Sequence, residues 1–87
     1  HVPHVGWNNL EWDEKSKLFE NIENKSDFYF VHSYYFNCSN KNHSIGYTNY
    51  INKFTSVVKE QNVLGTQFHP EKSQKDGIQL IKNFIDL

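Results

Sequence analysis

The sequence has no methionine, a single cysteine and no apolar run long enough to span a bilayer. One cysteine excludes an internal disulfide framework, and no secretory signal peptide is recognisable. These features favour a cytoplasmic setting. Because His1 stands where an initiator methionine would be, we expect the chain to begin inside a longer reading frame.

The sequence also lacks an excess of either charge. Nine Lys and Arg residues oppose ten Asp and Glu residues, which gives a formal net charge of -1 at pH 7. This balance provides no basic field that would hold a nucleic-acid backbone. We therefore expect neither nucleic acid nor a membrane as a partner.

Aromatic residues, by contrast, are abundant. Seven Phe, five Tyr and two Trp make up 16% of the 87 residues, and such side chains dominate the energetics of protein cores. A chain of this length holds one small core and buries only about 60–65% of its unfolded surface. We therefore expect one domain, or part of one, rather than a disordered segment.

The first third of the chain predicts little regular structure. The stretch HVPHVGWNNLEW reads as a loop that runs into a short extended segment, because it contains a Pro, a Gly and an Asn-Asn pair. The following DEKSKLFENIENKSD places Leu18, Phe19 and Ile22 at helix-like spacing. It predicts a short helix or turn on the surface.

Strand-type segments fill the middle of the chain. FYFVHSYYF is the strongest of them, and its near-continuous apolarity predicts burial on both faces. IGYTNYI, FTSVVKEQ and VLGTQFH predict three further strands, with Asn52-Lys53 and Gln61-Asn62 as tight connections. This pattern is typical of a β-meander.

The last segment, SQKDGIQLIKNFIDL, predicts a helix. Ser73 is the expected N-cap, with Asp76 three residues later in the capping-box position. One helical face carries four apolar residues, Ile78, Ile81, Phe84 and Ile85.

The candidate catalytic residues lie in GTQFHPEKSQ, where only Pro70 separates His69 from Glu71. Pro70 cannot donate to a strand ladder, so the strand ends there. If the backbone stays extended, the two side chains face the same way. A carboxylate that accepts a hydrogen bond from one imidazole nitrogen leaves the other as a general base. The alternative is a polar histidine at a strand end followed by a solvated glutamate.

Three blocks, PHVGWN, FYFVHSYYF and GTQFHPEKS, occur in this order over nearly the whole chain. Together they resemble the class I glutamine amidotransferases, and within them the glutaminase subunits of imidazole glycerol phosphate synthase. The resemblance implies an α/β fold with a flavodoxin-like mixed sheet. Residues 1–87 would be the C-terminal portion of a single amidotransferase domain whose N-terminal part is absent, and this portion is expected to contain mostly strands and a C-terminal helix.

The resemblance also implies an activity, which is the hydrolysis of glutamine to glutamate and ammonia. The ammonia passes to a synthase, or cyclase, subunit in a heterodimer that serves histidine biosynthesis. Two alternatives stay open: an amidotransferase subunit for a synthase of surface-polysaccharide sugars, and a non-catalytic docking module that lacks the nucleophile. No cofactor is implied.

By the same resemblance, each block contributes site residues. His69 is the catalytic base and Glu71 its orienting carboxylate. The residues expected beside the glutamine substrate are His32, Ser33 and Tyr34. Those expected at the interface with the synthase are Trp7, Asn8 and Lys72. Strand packing, a core tryptophan and an ordinary surface lysine are the alternatives for these positions.

Cys38 and the remaining histidines complete the set of candidates. The family's nucleophilic cysteine lies in a Gly-x-Cys-x-Gly elbow far upstream, and Cys38 in FNCSNKN has no flanking glycines. We interpret Cys38 as an ordinary thiol, although a papain-like Cys38–His69 pair stays open, and we expect this segment alone to be inactive. His1 and His4 are predicted in a loop and His43 in a turn, without ligand spacing, so no metal is expected.

Overall fold

The computed structural model describes residues 4–32, 41–50 and 52–87. The described chain forms five strands, three single 3₁₀ turns and one α-helix. In chain order these are β1 (His4–Asn9), a 3₁₀ turn (Lys17–Phe19), β2 (Asp27–His32), a 3₁₀ turn (Lys41–His43), β3 (Ser44–Tyr50), β4 (Asn52–Glu60), β5 (Val63–Thr66), a 3₁₀ turn (Pro70–Lys72) and α1 (Gln74–Ile85).

Strands β1 and β2 form an antiparallel two-stranded ribbon, with His4 opposite His32 and Asn9 opposite Asp27. Phe28 and Phe30 are fully buried on one face of β2, whereas Val31 on the other face is 43% exposed. The predicted burial of both faces is therefore wrong for the described part of this strand. Buried and more exposed side chains alternate along this strand, as in an antiparallel strand with only one face packed on the core.

Strands β3, β4 and β5 form an antiparallel meander in that order, so the three predicted strands are confirmed. Gln61 and Asn62 form the predicted two-residue connection between β4 and β5, and Gln61 has the positive φ, 53°, that such hairpin loops require. The predicted turn at Asn52-Lys53 is wrong. Both residues lie within β4 and pair with β3.

Among the described residues, two isolated β-bridges connect the backbone beside the ribbon with that of the meander and the segment after it. Glu11, just after β1, exchanges two backbone hydrogen bonds with Tyr47 of β3, at 2.8 and 2.7 Å. Phe68, just after β5, forms a single β-bridge with Phe30 of β2. The chain therefore leaves the meander after β5 and continues along the free edge of β2, which brings His69 to the ribbon.

The hydrophobic core lies between these elements. Among the described residues it contains nine buried side chains: Leu10, Leu18, Phe19, Ile22, Phe28, Phe30, Val57, Phe68 and Leu80. The short turn predicted after β1 is present as the 3₁₀ turn Lys17–Phe19. It was predicted on the surface, yet its apolar side chains are buried, because α1 packs against it and Asn83 Nδ2 donates to the carbonyls of Leu18 and Glu20.

Helix α1 is present as predicted, but it is turned relative to the expected apolar face. Gly77 and Leu80 are its buried residues, and Phe84 packs against the core. Ile78 is 64% exposed and Ile85 is 73% exposed. The sequence contains two apolar stripes at helical spacing, and the one that includes Leu80 faces the core. No helix in the described part of the chain is both long and apolar enough to cross a membrane.

Candidate active site

The predicted pair of His69 and Glu71 is assembled in the structure. His69 Nδ1 lies 3.0 Å from Glu71 Oε2. The His69 side chain is 41% exposed and the Glu71 side chain is 60% exposed, so the imidazole is accessible to other groups. The pair therefore has the contact geometry of a base held by an orienting carboxylate.

The backbone reaches this geometry by a different route from the predicted one. An extended chain through Pro70 was expected, whereas Pro70–Lys72 forms a 3₁₀ turn, and His69 precedes it with φ -100° and ψ 99°. Proline is suited to this first helical position because its φ is fixed near the helical value and its missing N–H would be unpaired there. The turn folds Glu71 back toward the His69 ring.

The electrostatics of the pair favour one protonation pattern. The hydrogen bond with His69 is the largest cause of a lowered pKa at Glu71, and the backbone amide of Glu71 and the charges of His69 and Lys72 act in the same direction. An ionised carboxylate only accepts hydrogen bonds, so Nδ1 of His69 carries the proton in this contact. In the neutral imidazole, this tautomer leaves the lone pair of Nε2 available to act as a base.

Ser73 connects the His69 backbone to the ribbon, and Gly77 lets α1 lie close to the turn. Ser73 is the N-cap residue of α1, as predicted, but the predicted capping box is wrong, because the Ser73 side chain makes no cap hydrogen bond. Its hydroxyl instead accepts from the Tyr29 N–H at 2.9 Å and donates to the His69 carbonyl at 2.7 Å. A Cβ at Gly77 would overlap the Pro70 carbonyl oxygen, so the absence of a side chain there lets α1 approach the turn.

The predicted substrate-binding segment is only partly described. The backbone of His32 ends β2 and lies opposite His4. Ser33 and Tyr34 lie outside the described residues, as does Cys38. Their assignment to the substrate site, and the reading of Cys38 as an ordinary thiol, stay predictions.

The predicted interface residues fall into two groups. Trp7 is 49% exposed on the outer face of the ribbon, where its ring meets that of Tyr29 edge to face, and Lys72 is exposed beside Glu71. Trp7 also lines an open groove with Ser73 at the start of α1. Asn8 is half-buried, and its Nδ2 donates to the Asn49 carbonyl at 2.9 Å. The amide of Asn8 thus ties the ribbon to the meander.

One histidine prediction needs correction. His4 was predicted in a loop, yet it is the first residue of β1 and is buried. Its ring stacks on Tyr50 and Phe30, with centroids 4.0 and 4.5 Å away. Among the described residues, no group of three or more His, Cys, Asp or Glu side chains is placed to hold a metal ion.

Comparison with known proteins places this geometry in a family. The chain is 50% identical to imidazole glycerol phosphate synthase subunit HisH 2 of Methanococcus maripaludis, over 97% of the chain and 42% of that protein. HisH proteins of Methanocaldococcus jannaschii and Leptospira borgpetersenii are 48% and 44% identical over 99% of the chain. The chain thus spans about two fifths of the length of these relatives.

The family model of class I glutamine amidotransferases matches residues 1–87, and the predicted α/β class is confirmed. The chain belongs to the class I glutamine amidotransferase family.

Proposed function

We propose that this chain is the part of a glutaminase that carries its general base, His69, and the carboxylate that orients it, Glu71. The complete enzyme hydrolyses glutamine to glutamate and ammonia and delivers the ammonia to the synthase subunit of imidazole glycerol phosphate synthase, in the cytoplasm. The observation that carries the proposal is the 3.0 Å contact between His69 Nδ1 and Glu71 Oε2 in a chain of this family.

In the proposed reaction, His69 Nε2 takes the proton of a cysteine thiol, and the thiolate attacks the side-chain amide carbon of glutamine. The tetrahedral intermediate collapses to a thioester, and the imidazolium returns its proton to the departing ammonia. His69 then removes a proton from water, which hydrolyses the thioester to glutamate and restores the thiol. Glu71 holds the ring in the tautomer that these transfers require and stabilises the imidazolium.

The nucleophile belongs, in this proposal, to the rest of the full-length protein. We take residues 1–87 to be the C-terminal portion of one amidotransferase domain, inactive by itself. The exposed apolar face of α1 is the surface against which the rest of that domain packs, because three isoleucines at helical spacing, Ile78, Ile81 and Ile85, are all exposed there. Trp7 and Lys72 are the residues we assign to contact with the synthase.

Replacing His69 in the full-length protein tests the proposal. In the complex with the synthase, His69→Ala should reduce glutamine-dependent synthesis at least about 100-fold, since general-base catalysis contributes that much or more. Synthesis from added ammonia should be unchanged. The matched control is His43→Ala, which removes an imidazole from the 3₁₀ turn before β3 and should leave both rates near those of the wild type.

Two results would contradict the proposal. One is a wild-type complex that uses ammonia but not glutamine, which would remove the activity itself. The other is a His69→Ala variant with full glutamine-dependent turnover, which would leave the activity in place and remove His69 as its base.

A further inference from the structure

Ser73 has a buried hydroxyl whose two partners both lie outside helix α1. The residue is 2% exposed. Its Oγ accepts a hydrogen bond from the Tyr29 N–H at 2.9 Å and donates one to the His69 carbonyl at 2.7 Å. The hydroxyl therefore joins the edge of β2 to the backbone of the catalytic base proposed above.

This bridge replaces part of a strand ladder. Residues that face each other in an antiparallel pair can exchange two direct N–H to carbonyl bonds. Here the His69 N–H donates directly to the Tyr29 carbonyl at 2.8 Å, while the return path from the Tyr29 N–H to the His69 carbonyl runs through Ser73 Oγ. The inserted hydroxyl gives His69 room to leave the strand direction and enter the 3₁₀ turn without losing its tie to β2.

The backbone conformation at Ser73 and Gln74 explains why the Ser73 hydroxyl does not cap α1. N-cap residues normally have β-region dihedral angles, whereas Ser73 has φ -100° and ψ 24°. Gln74 follows with a left-handed φ of 55°, a conformation that costs a non-glycine residue about 1–2 kcal/mol. Strained residues of this kind persist where their surroundings hold them in place. The Ser73 hydroxyl supplies two such contacts.

We propose that Ser73 is a positioning residue for the His69 base. It fixes the His69 carbonyl, and with it the start of the turn that aligns the imidazole with Glu71, relative to the edge of β2. This inference rests on the proposed function, in which His69 is the base. A shift of about 1 Å in a catalytic group can lower a rate about 100-fold, so loss of this bridge should affect turnover more than substrate binding.

The test compares two buried serines in the full-length protein with its synthase. Ser73→Ala removes the bridge, and Ser56→Ala removes the acceptor of a 2.9 Å hydroxyl bond from Thr48 in the meander. We expect Ser73→Ala to lower kcat for glutamine at least tenfold with an unchanged KM and unchanged ammonia-dependent synthesis. Ser73→Thr, which keeps a hydroxyl, should recover most of kcat. Ser56→Ala should lose stability only.

Amide hydrogen exchange gives a second reading that needs no turnover. Exchange at the Tyr29 and His69 amides should be at least tenfold faster in Ser73→Ala than in the wild type and unchanged in Ser56→Ala. If Ser73→Ala does not fold, Ser73→Cys fills the same space with a poor hydrogen-bonding group and should show the same losses.

The outcomes separate the two proposals. Wild-type exchange rates and wild-type kcat in the Ser73 variants would overturn the positioning role. A wild-type complex that cannot use glutamine would overturn the proposed function alone, because the exchange comparison would still decide whether Ser73 holds His69 to β2.

Discussion

Exposed large apolar side chains are divided unequally between two halves of the molecule. Among the described residues, seven lie on the ribbon, on α1 or at the C-terminus: Val5, Trp7, Val31, Ile78, Ile81, Ile85 and Leu87. The meander exposes one, Val63, beside its tight turn. Patches of exposed apolar residues mark surfaces that contact other proteins or segments. The half next to His69 and Glu71 is therefore the half with uncovered surface.

Within the meander, in contrast, two buried polar side chains form a hydrogen bond with each other. Thr48 and Ser56 are fully buried, and Thr48 Oγ1 donates to Ser56 Oγ across β3 and β4. The meander leads to the site through the segment after β5, where Phe68 meets Phe30. The meander therefore acts as a scaffold, whereas the ribbon, α1 and the turn between them carry the proposed catalytic pair and most of the exposed apolar surface.

The largest effect expected from this contrast concerns two side chains of equal exposure. Ile78 is 64% exposed and Val63 is 67% exposed. In the full-length protein, where we propose that the rest of the domain covers this face of α1, Ile78→Lys should lower the free energy of unfolding by about 3 kcal/mol or more, because it would replace a covered apolar side chain with a charge. Val63→Lys should change it by less than about 0.5 kcal/mol. Urea unfolding of both variants measures the difference, and equal effects would show that the Ile78 face is not covered in the full-length protein.

A smaller effect is expected inside the meander. Thr48→Val keeps the shape of the side chain and removes the donor to Ser56. The cost should be about 1–2 kcal/mol, the usual cost of a lost buried hydrogen bond. Because the defect stays in the scaffold, kcat and KM for glutamine should match the wild type when measured well below the melting temperature. A lower kcat in the folded variant would show that the meander shapes the site directly.

The smallest effect is a shift in titration at the site itself. The pKa of Glu71 is lowered chiefly by its hydrogen bond with His69. The stabilisation from this contact is therefore present above the pKa of Glu71 in the unfolded chain and is lost as the pH falls through its lower value in the folded chain. In full-length His69→Ala, the Glu71 pKa followed by carboxyl-carbon NMR should rise toward the ordinary glutamate value. An unchanged pKa would mean that other groups hold the carboxylate ionised.

Much of the scaffold and the contact between His69 and Glu71 could be predicted from local sequence signals. The strand-type residues of FTSVVKEQ and VLGTQFH on either side of Gln61-Asn62 were enough to predict β4, β5 and their hairpin, because those signals are short-range. His69 and Glu71 were paired correctly because their separation is two residues. The backbone conformation between them was predicted incorrectly, because a proline is compatible both with an extended chain and with the first position of a 3₁₀ turn.

The failures involve neighbours that are distant in sequence. Ser73 followed by Asp76 fits a capping box, and only the free edge of β2, more than 40 residues earlier, offers its hydroxyl a better partner at Tyr29. The buried stripe of α1 likewise depends on distant residues, because Leu80 is buried in the same core cluster as Leu18 and Phe19. Neither choice is encoded within the helix itself, because both of its apolar stripes have helical spacing.

Gly77 sets a practical limit on how this segment can be redesigned. A side chain at position 77 would overlap the Pro70 carbonyl oxygen, so even alanine, the residue that helices favour most, should be rejected there. A library that optimised α1 for helix propensity would replace this glycine first and, in doing so, push the turn carrying His69 and Glu71 away from the ribbon. Screens for stabilised variants should therefore keep position 77 and the isoleucine face fixed, and vary exposed polar positions of the helix such as Lys75 and Lys82 instead.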